Sequence, residues 1–227
     1  MKKAVCLMSG GIDSTTSAYI AKAEGYEVHG LTFDYGQRHR KEIEAVKPIA
    51  EHLGVKELKT LKIDLREIGG SALTADIAVP ERGSAESILQ GGEVPITYVP
   101  ARNTIFLSFA LAYAEVVNAD AIFIGANVLD YSGYPDCRPE YLEAFQRMAN
   151  LATKRAVEGK RVEIKAPLLR LSKAEIIKKG AKLGVPFELT WSCYKGGKKA
   201  CGKCDSCLLR LKGFAEAGLE DPLGYGE

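Results

Sequence analysis

Apolar positions along the chain follow two rhythms. Short runs rich in Val, Ile, Leu and Phe alternate with longer stretches in which apolar residues return every three or four positions. The first rhythm predicts strands, buried in the case of the first, and the second predicts helices. Strands are expected at 3–8, 26–33, 58–65, 121–125 and 162–165. Helices are expected at 14–24, 38–53, 102–117, 139–158 and 173–183, and a terminal one from about 204. In the second helix Ile43, Val46, Ile49 and Leu53 share a face, and Pro48 within it predicts a kink. The 102–117 helix is apolar nearly all round, which predicts cover on most sides. Pro139 suits a first helical position, with Gly159 past the end. Ser172 and Glu175 form a capping-box pattern, closed by Gly184 and Pro186.

Strands and helices thus alternate from residue 3 to about residue 185. This predicts an α/β fold: a doubly wound, parallel, five-stranded sheet with helices on both faces. Ligands of such sheets bind beyond the carboxyl ends of the strands, at a switch point. The loops at 9–13, 34–38, 95–103 and 125–138 should gather on that edge. Residues 69–93 have weak periodicity and a glycine pair at each end. An irregular segment of that length is either a functional lid or disordered.

Charge changes this picture only by exclusion. With 31 basic and 29 acidic residues, the net charge of +2 gives no electrostatic case for long nucleic acid or an anionic membrane. The apolar stretch after the opening lysines is too short for a signal peptide, and 105–117 is shorter than the ~20 residues that span a bilayer. A cytoplasmic protein is expected.

Chemistry enters at "VCLMSGGIDSTTS", residues 5–17. Gly10 and Gly11 permit a tight turn and close approach of backbone to ligand. The free amides at the following helix start favour an anion, with Ser9 and Ser14 adding hydroxyls. Asp13 either caps the helix or helps hold a magnesium ion that bridges phosphate oxygens. No lysine follows, so G-x-x-x-x-G-K-[ST] does not fit. A second constellation is Cys193 with C-x-x-C-x-x-C at Cys201, Cys204 and Cys207. Without a secretory signal, this spacing points to a closed, structural, tetrahedral zinc site in preference to an iron–sulfur cluster. The remaining cysteines are Cys6, read as a strand core residue, and Cys137, read as a small filler. The expected organisation is therefore an α/β domain over 1–185 and a four-cysteine zinc subdomain over 186–227 packed on it.

The pattern S-G-G-x-D-S after a first strand resembles the pyrophosphate loop of the N-type ATP pyrophosphatase superfamily. The resemblance implies cleavage of ATP between its α and β phosphates and transfer of AMP to a substrate oxygen, the loop holding the departing pyrophosphate. Five further stretches narrow it: "FDYGQRHRKE" (33–42), "YVPARNTIFLSFALAYAE" (98–115), "GANVLDYSGYPDCRPEY" (125–141), the capped helix from Ser172, and the cysteine tail. Together they resemble the 7-cyano-7-deazaguanine synthase family. That family makes the nitrile precursor of queuosine from 7-carboxy-7-deazaguanine, ammonia and two ATP, giving two AMP and two diphosphate. The resemblance also implies structural Zn²⁺, one per subunit, Mg²⁺ with ATP, and a homodimer, with free ammonium as nitrogen source and no direct nucleic acid partner.

Carried onto this sequence, the resemblance assigns Leu7, Met8, Ser9, Gly10, Gly11, Asp13, Ser14, Phe33, Asp34, Tyr35, Gly125 and Lys173 to ATP. Gly125 would admit the nucleotide through its lack of a side chain, and Lys173 is either a phosphate ligand or a solvated side chain. Tyr98, Asn103, Asp130, Tyr131, Tyr134, Asp136 and Arg138 are assigned to the deazaguanine: tyrosines to stack on its ring, a carboxylate to accept from its N–H edge, and Arg138 to pair with its carboxylate or a phosphate. The alternative for 130–141 is a polar loop that caps the helix at Pro139. Asp13, Ser14, Arg102, Asp136 and Arg138 are the expected catalytic set. Arg102 suits a phosphate or the substrate carboxylate, or serves at the helix entry and surface. His39 beside Arg38 and Arg40 is a possible phosphate contact, and no histidine is assigned as general base. Two rivals stay open: a tRNA-modifying member of the superfamily, which should carry a basic face, and a non-enzymatic zinc-ribbon module, which leaves the first two-thirds unexplained.

Overall fold

The computed structural model describes residues 1–37, 40–79, 83–89, 94–129 and 134–226. Strand β1 (Lys3–Leu7) leads through the glycine loop into helix α1 (Ile12–Ala23). Then follow β2 (Glu27–Asp34), α2 (Lys41–Leu53), β3 (Glu57–Lys62) and a short α3 (Ala85–Leu89). The long α4 (Arg102–Val117) precedes β4 (Ala121–Phe123), α5 (Pro139–Ala152), α6 (Lys154–Val157) and β5 (Glu163–Lys165). Helices α7 (Lys173–Lys182) and α8 (Asp205–Ala217) complete the chain. The five strands form one sheet in the order β3-β2-β1-β4-β5, and each neighbouring pair runs parallel. The chain builds outward from β1 in one direction, then returns to the other side at β4. The switch point lies between the ends of β1 and β4, where a parallel sheet opens a crevice.

Strand alternation divides the core into two layers. Val5 and Leu7 of β1 face a cluster with Leu31, Phe33, Ile122, Leu107 and Phe145, which brings α4 and α5 to one face. Ala4, Cys6 and Met8 face the other cluster with Val46, Ile49, Phe123, Ile176 and Phe214, which places α1, α2, α7 and α8 opposite. Cys6 is buried, and desolvation pushes its thiol well above the usual range, so it is a core residue.

Four sequence expectations need adjustment. The helix expected over 139–158 is two, because Thr153 leaves helical geometry at φ −110° and ψ 144°. Its buried hydroxyl donates to the Ala149 carbonyl at 3.1 Å, the back-bonding that competes with helix continuation at a β-branched residue. Helix α4 is open along one side: Phe109 is 39% and Val116 75% exposed, since the helix rests on the sheet with one face only. Helix α1 begins at Ile12, so Asp13 lies inside the first turn and does not cap it. The 69–93 segment starts within the core, with Ser71, Ala72, Leu73 and Thr74 buried and the Ala72 amide donating to the Ile96 carbonyl at 2.9 Å. Residues 80–82 and 90–93 lie outside the described residues. Among the described residues, no helix is long and apolar enough to cross a membrane.

Candidate functional site

The glycine loop is held by its own hydroxyls. The Ser9 amide donates to Ser14 Oγ at 3.0 Å, the two hydroxyls lie 2.9 Å apart, and Ser14 Oγ donates to the Gly11 carbonyl at 3.2 Å. The two glycines do different work. Gly10 has φ +83°, the left-handed region that a side chain disfavours, and an added Cβ would lie 2.3 Å from the Glu42 carbonyl oxygen of α2. Gly11 precedes α1 with no side-chain cap, which leaves the first-turn amides free to take an anion.

Behind this loop lies a cavity of about 250 Å³ that opens at the switch point. Leu7, Met8, Ser9, Gly11, Asp13 and Ser14 line one side, and Phe33 and Tyr35 come from the end of β2. Gly125 arrives beyond β4, Arg102 and Asn103 from the start of α4, Tyr134 from the loop before α5, and Lys173 from α7. All these were assigned from sequence. Asp13 accepts two hydrogen bonds from Lys173 Nζ, at 2.7 and 2.8 Å, so the residues flank one point of the cavity. Asn127 sets that approach: its Nδ2 donates to the Leu168 and Leu171 carbonyls, fixing the turn that leads to Ser172 and Lys173.

Other assigned residues stand behind the wall. Gly10 packs against α2, and Asp34 pairs with the exposed Arg40 at 2.9 Å. Tyr98 accepts from the Ala101 amide at 2.9 Å, which supports the left-handed turn (φ 51°) that starts α4. Asp136 is buried and accepts from the Asn103 amide at 2.9 Å. Desolvation raises the Asp136 carboxyl, opposed by that amide and by Arg102. Arg138 is exposed and donates to the Pro135 carbonyl at 3.2 Å. Gly125 has its backbone close to α1: an added Cβ would meet Ser14 N at 2.7 Å. Its missing side chain therefore admits the helix start, in addition to bordering the cavity. Arg38, His39, Asp130 and Tyr131 lie outside the described residues.

The sequence reading missed several lining groups, among them Gln37, Glu42, Leu73, Phe106, Trp191, Tyr194 and Arg210. Trp191, the lone tryptophan two residues before a candidate metal ligand, was the one with a visible signal. Its amide donates to the Gly10 carbonyl at 2.9 Å, and Lys41 Nζ lies 4.3 Å from its ring centre. The C-terminal segment thereby holds the glycine loop from behind. Arg210 is almost fully buried and donates twice to Asp221, each bond 2.8 Å, which ties the chain end to α8.

The cavity is rich in perturbed groups. Burial would lower Arg102, but Tyr35, Tyr134 and Asp136 around it outweigh this and raise it further, so it stays charged. Burial raises Tyr35 and Tyr134. Burial pushes the Glu42 carboxyl up to about 7, with Arg102 opposing and Cys193 adding to the rise. Cys137 is pushed up to about 11, chiefly by burial, and its Sγ accepts from Asn103 Nδ2 at 3.2 Å. No histidine lines the cavity among the described residues.

The four tail cysteines gather with every Sγ within 4.8 Å of the others. A tetrahedral Zn²⁺ with ~2.3 Å bonds separates its sulfurs by roughly 3.8 Å, and the Cys201 and Cys207 sulfurs are 4.0 Å apart. Cys193 Sγ accepts from the Lys195 and Cys201 amides, and Cys201 Sγ from the Lys203 and Cys204 amides, all at 3.4 Å. Such amides favour thiolates, so the donor set fits a divalent metal.

The whole-chain comparisons agree with each other. The family model described as "Queuosine biosynthesis protein QueC" matches residues 3–218. A 7-cyano-7-deazaguanine synthase of Geobacter sulfurreducens is 60% identical over 227 residues, covering 99% of this chain and 93% of that protein. The 7-cyano-7-deazaguanine synthase 2 of Desulfitobacterium hafniense is 57% identical, with 99% and 94% covered. Among solved structures, NMN synthetase from Francisella tularensis superposes with TM-score 0.50 at 17% identity, covering 96% of this chain and 78% of that one. A 4-thiouridine synthetase solved with RNA and ATP gives 0.50 at 21%, with 96% and 50% covered. These two share the fold. On the family match and the near-full-length identity, the chain belongs to the 7-cyano-7-deazaguanine synthase family of queuosine biosynthesis.

Proposed function

We propose that the chain converts 7-carboxy-7-deazaguanine and ammonium to 7-cyano-7-deazaguanine, a carbon–nitrogen ligation that consumes two ATP and releases two AMP and two diphosphate. The carrying observation is one cavity that joins uncapped amides of the glycine loop, a charged Arg102 and aromatic walls at the switch point. Adenylation turns a carboxylate oxygen, a poor leaving group, into part of AMP, which ammonia displaces to give the amide. A second adenylation, on the amide oxygen, lets loss of AMP leave the nitrile. The same cavity serves both activations.

Ser9, Gly11 and Ser14 with the α1 amides bind the departing diphosphate. Asp13, one carboxylate beside a phosphate site, fits Mg²⁺, whose charge would draw the phosphate oxygens together; Lys173 neutralises the same oxygens. Phe33 and Tyr35 with Leu7 and Met8 form the nucleoside wall. Arg102 meets the substrate carboxylate or α-phosphate, while Tyr134 and Phe106 face the flat ring. Asp136 positions Asn103, with which it shares a hydrogen bond. The cysteines hold structural zinc, residues 186–227 forming a zinc subdomain on the 1–185 α/β domain, and the enzyme acts as a cytoplasmic homodimer. The test is incubation with ATP, magnesium, ammonium and 7-carboxy-7-deazaguanine, following AMP and product mass. Two AMP per nitrile are expected; AMP formed only on adding tRNA, or no nucleotide turnover, refutes the reading.

A further inference from the structure

Lys173 stands where helix electrostatics would not put a lysine. It is the first residue of α7, directly after the Ser172 cap, and the N-terminal end of a helix disfavours a cation. Its side chain is 13% exposed, and its ammonium lies 2.7 Å from Asp13 Oδ1 at the cavity wall. A second unfavourable choice faces it. Gly213 is buried inside α8, and a glycine in a helix interior weakens the helix relative to alanine. The two meet closely. An added Cβ on Gly213 would lie 2.3 Å from Lys173 Cγ, 2.9 Å from Lys173 Cβ and 3.0 Å from Ile177 Cδ1.

Both helices are pinned at this crossing. Just before Gly213 on α8, Arg210 donates to Asp221 and to Thr190 Oγ1, each at 2.8 Å, and to the Phe187 carbonyl at 3.1 Å. The residue after it, Phe214, packs edge-on against Phe187 with ring centres 5.3 Å apart. On α7, Ile176 and Ile177 are fully buried. Gly180 of the same helix leaves room for Phe187, since a Cβ there would meet Phe187 Cζ at 2.7 Å. Parting the helices therefore cannot absorb a side chain at 213. It would swing the Lys173 stem, and the ammonium with it, away from Asp13.

We propose that Gly213 is a positioning residue for diphosphate departure: its missing side chain seats the stem of Lys173 so that the ammonium stands at the phosphate site. This deepens the proposed function and rests on its assignment of Lys173 to the phosphate oxygens. Asn127 sets the turn from which Lys173 starts; Gly213 sets where its charge ends.

The experiment uses Gly213→Ala, Lys173→Gly and the double variant in the full chain. First-turnover diphosphate release is measured at saturating ATP, magnesium and 7-carboxy-7-deazaguanine without ammonium, and Tm is measured alongside. Lys173→Gly removes both carbons that the new methyl group would strike. Gly213→Ala alone should slow release by roughly 10–10²-fold, the scale of a ~1 Å misplacement, with the KM for the substrate acid unchanged. Added to Lys173→Gly, it should slow release no further. Tm gives a readout that needs no turnover. Gly213→Ala should lower it in the wild-type background and raise it in the Lys173→Gly background, where the helix preference of alanine acts without the clash. A Gly213→Ala variant at the wild-type rate, equal slowing in both backgrounds, a shifted substrate KM, or a Tm change of one sign in both overturns the assignment. No diphosphate from the wild type instead refutes the proposed function, and the Tm comparison still decides whether Lys173 is seated on Gly213.

Discussion

Replacing Gly125 by alanine should push the diphosphate loop off its seat. The new Cβ would stand 2.7 Å from Ser14 N, 2.8 Å from Asp13 C and 2.9 Å from Ser14 Cα. Carbon contacts are comfortable at about 3.5–4.0 Å, so the neighbours must give by roughly 1 Å. All three are backbone atoms of the first turn of α1, and no side-chain rotation relieves them. Overpacking of this kind costs about 1–3 kcal/mol, which for a chain of this size lowers Tm by roughly 2–12 °C. The larger effect is on chemistry, since a ~1 Å misplacement of reacting groups can cost about 10²-fold in rate. Gly11→Ala is the matched contrast. Its Cβ would lie 3.6 Å from both Ser9 Oγ and the Trp191 carbonyl, so the fold should be untouched while the cavity mouth is narrowed. Thermal denaturation and diphosphate release, measured on both variants, separate the effects. Gly125→Ala with wild-type Tm and wild-type diphosphate release would refute the reasoning.

Asp13→Ala should abolish diphosphate release while circular dichroism shows an intact fold; unchanged activity would remove Asp13 from the site. Cys204→Ser, or a strong chelator, should cost metal content and stability together, and should also slow diphosphate release because the Trp191 amide then holds Gly10 less firmly; metal analysis with calorimetry checks this. Asp221→Ala leaves the buried Arg210 guanidinium uncompensated and should cost about 3–5 kcal/mol in urea denaturation, whereas Arg210→Met with Asp221→Leu should recover much of it. Burial alone would raise Asp221, but hydrogen bonds and charge from Arg210, with Tyr225 and the Leu223 amide, hold it below its usual value. Its stabilisation is thus complete above about pH 4 and is lost as pH falls through the lowered value. An acid denaturation curve should show that loss, and Asp221→Asn should remove it.

Local signals in the sequence determined the scaffold and its two chemical loops. Five strands separated by periodic helices allow little except a doubly wound parallel sheet, and the sheet order places the switch point beside S-G-G-x-D-S. Glycine, the capping box at Ser172 and the cysteine spacing act within a few residues, so they were legible. Tertiary structure decided what depends on the approach of distant segments. Only the folded chain brings Lys173 onto Asp13, Trp191 onto Gly10 and Glu42 into the cavity wall. It also separates Gly10, whose backbone geometry is essential, from Gly11, which borders the ligand space, and it joins Asp136 to the Asn103 amide. No composition or period encodes these meetings, because each rests on where two helices or tails happen to cross the same sheet edge, and on the desolvation that follows.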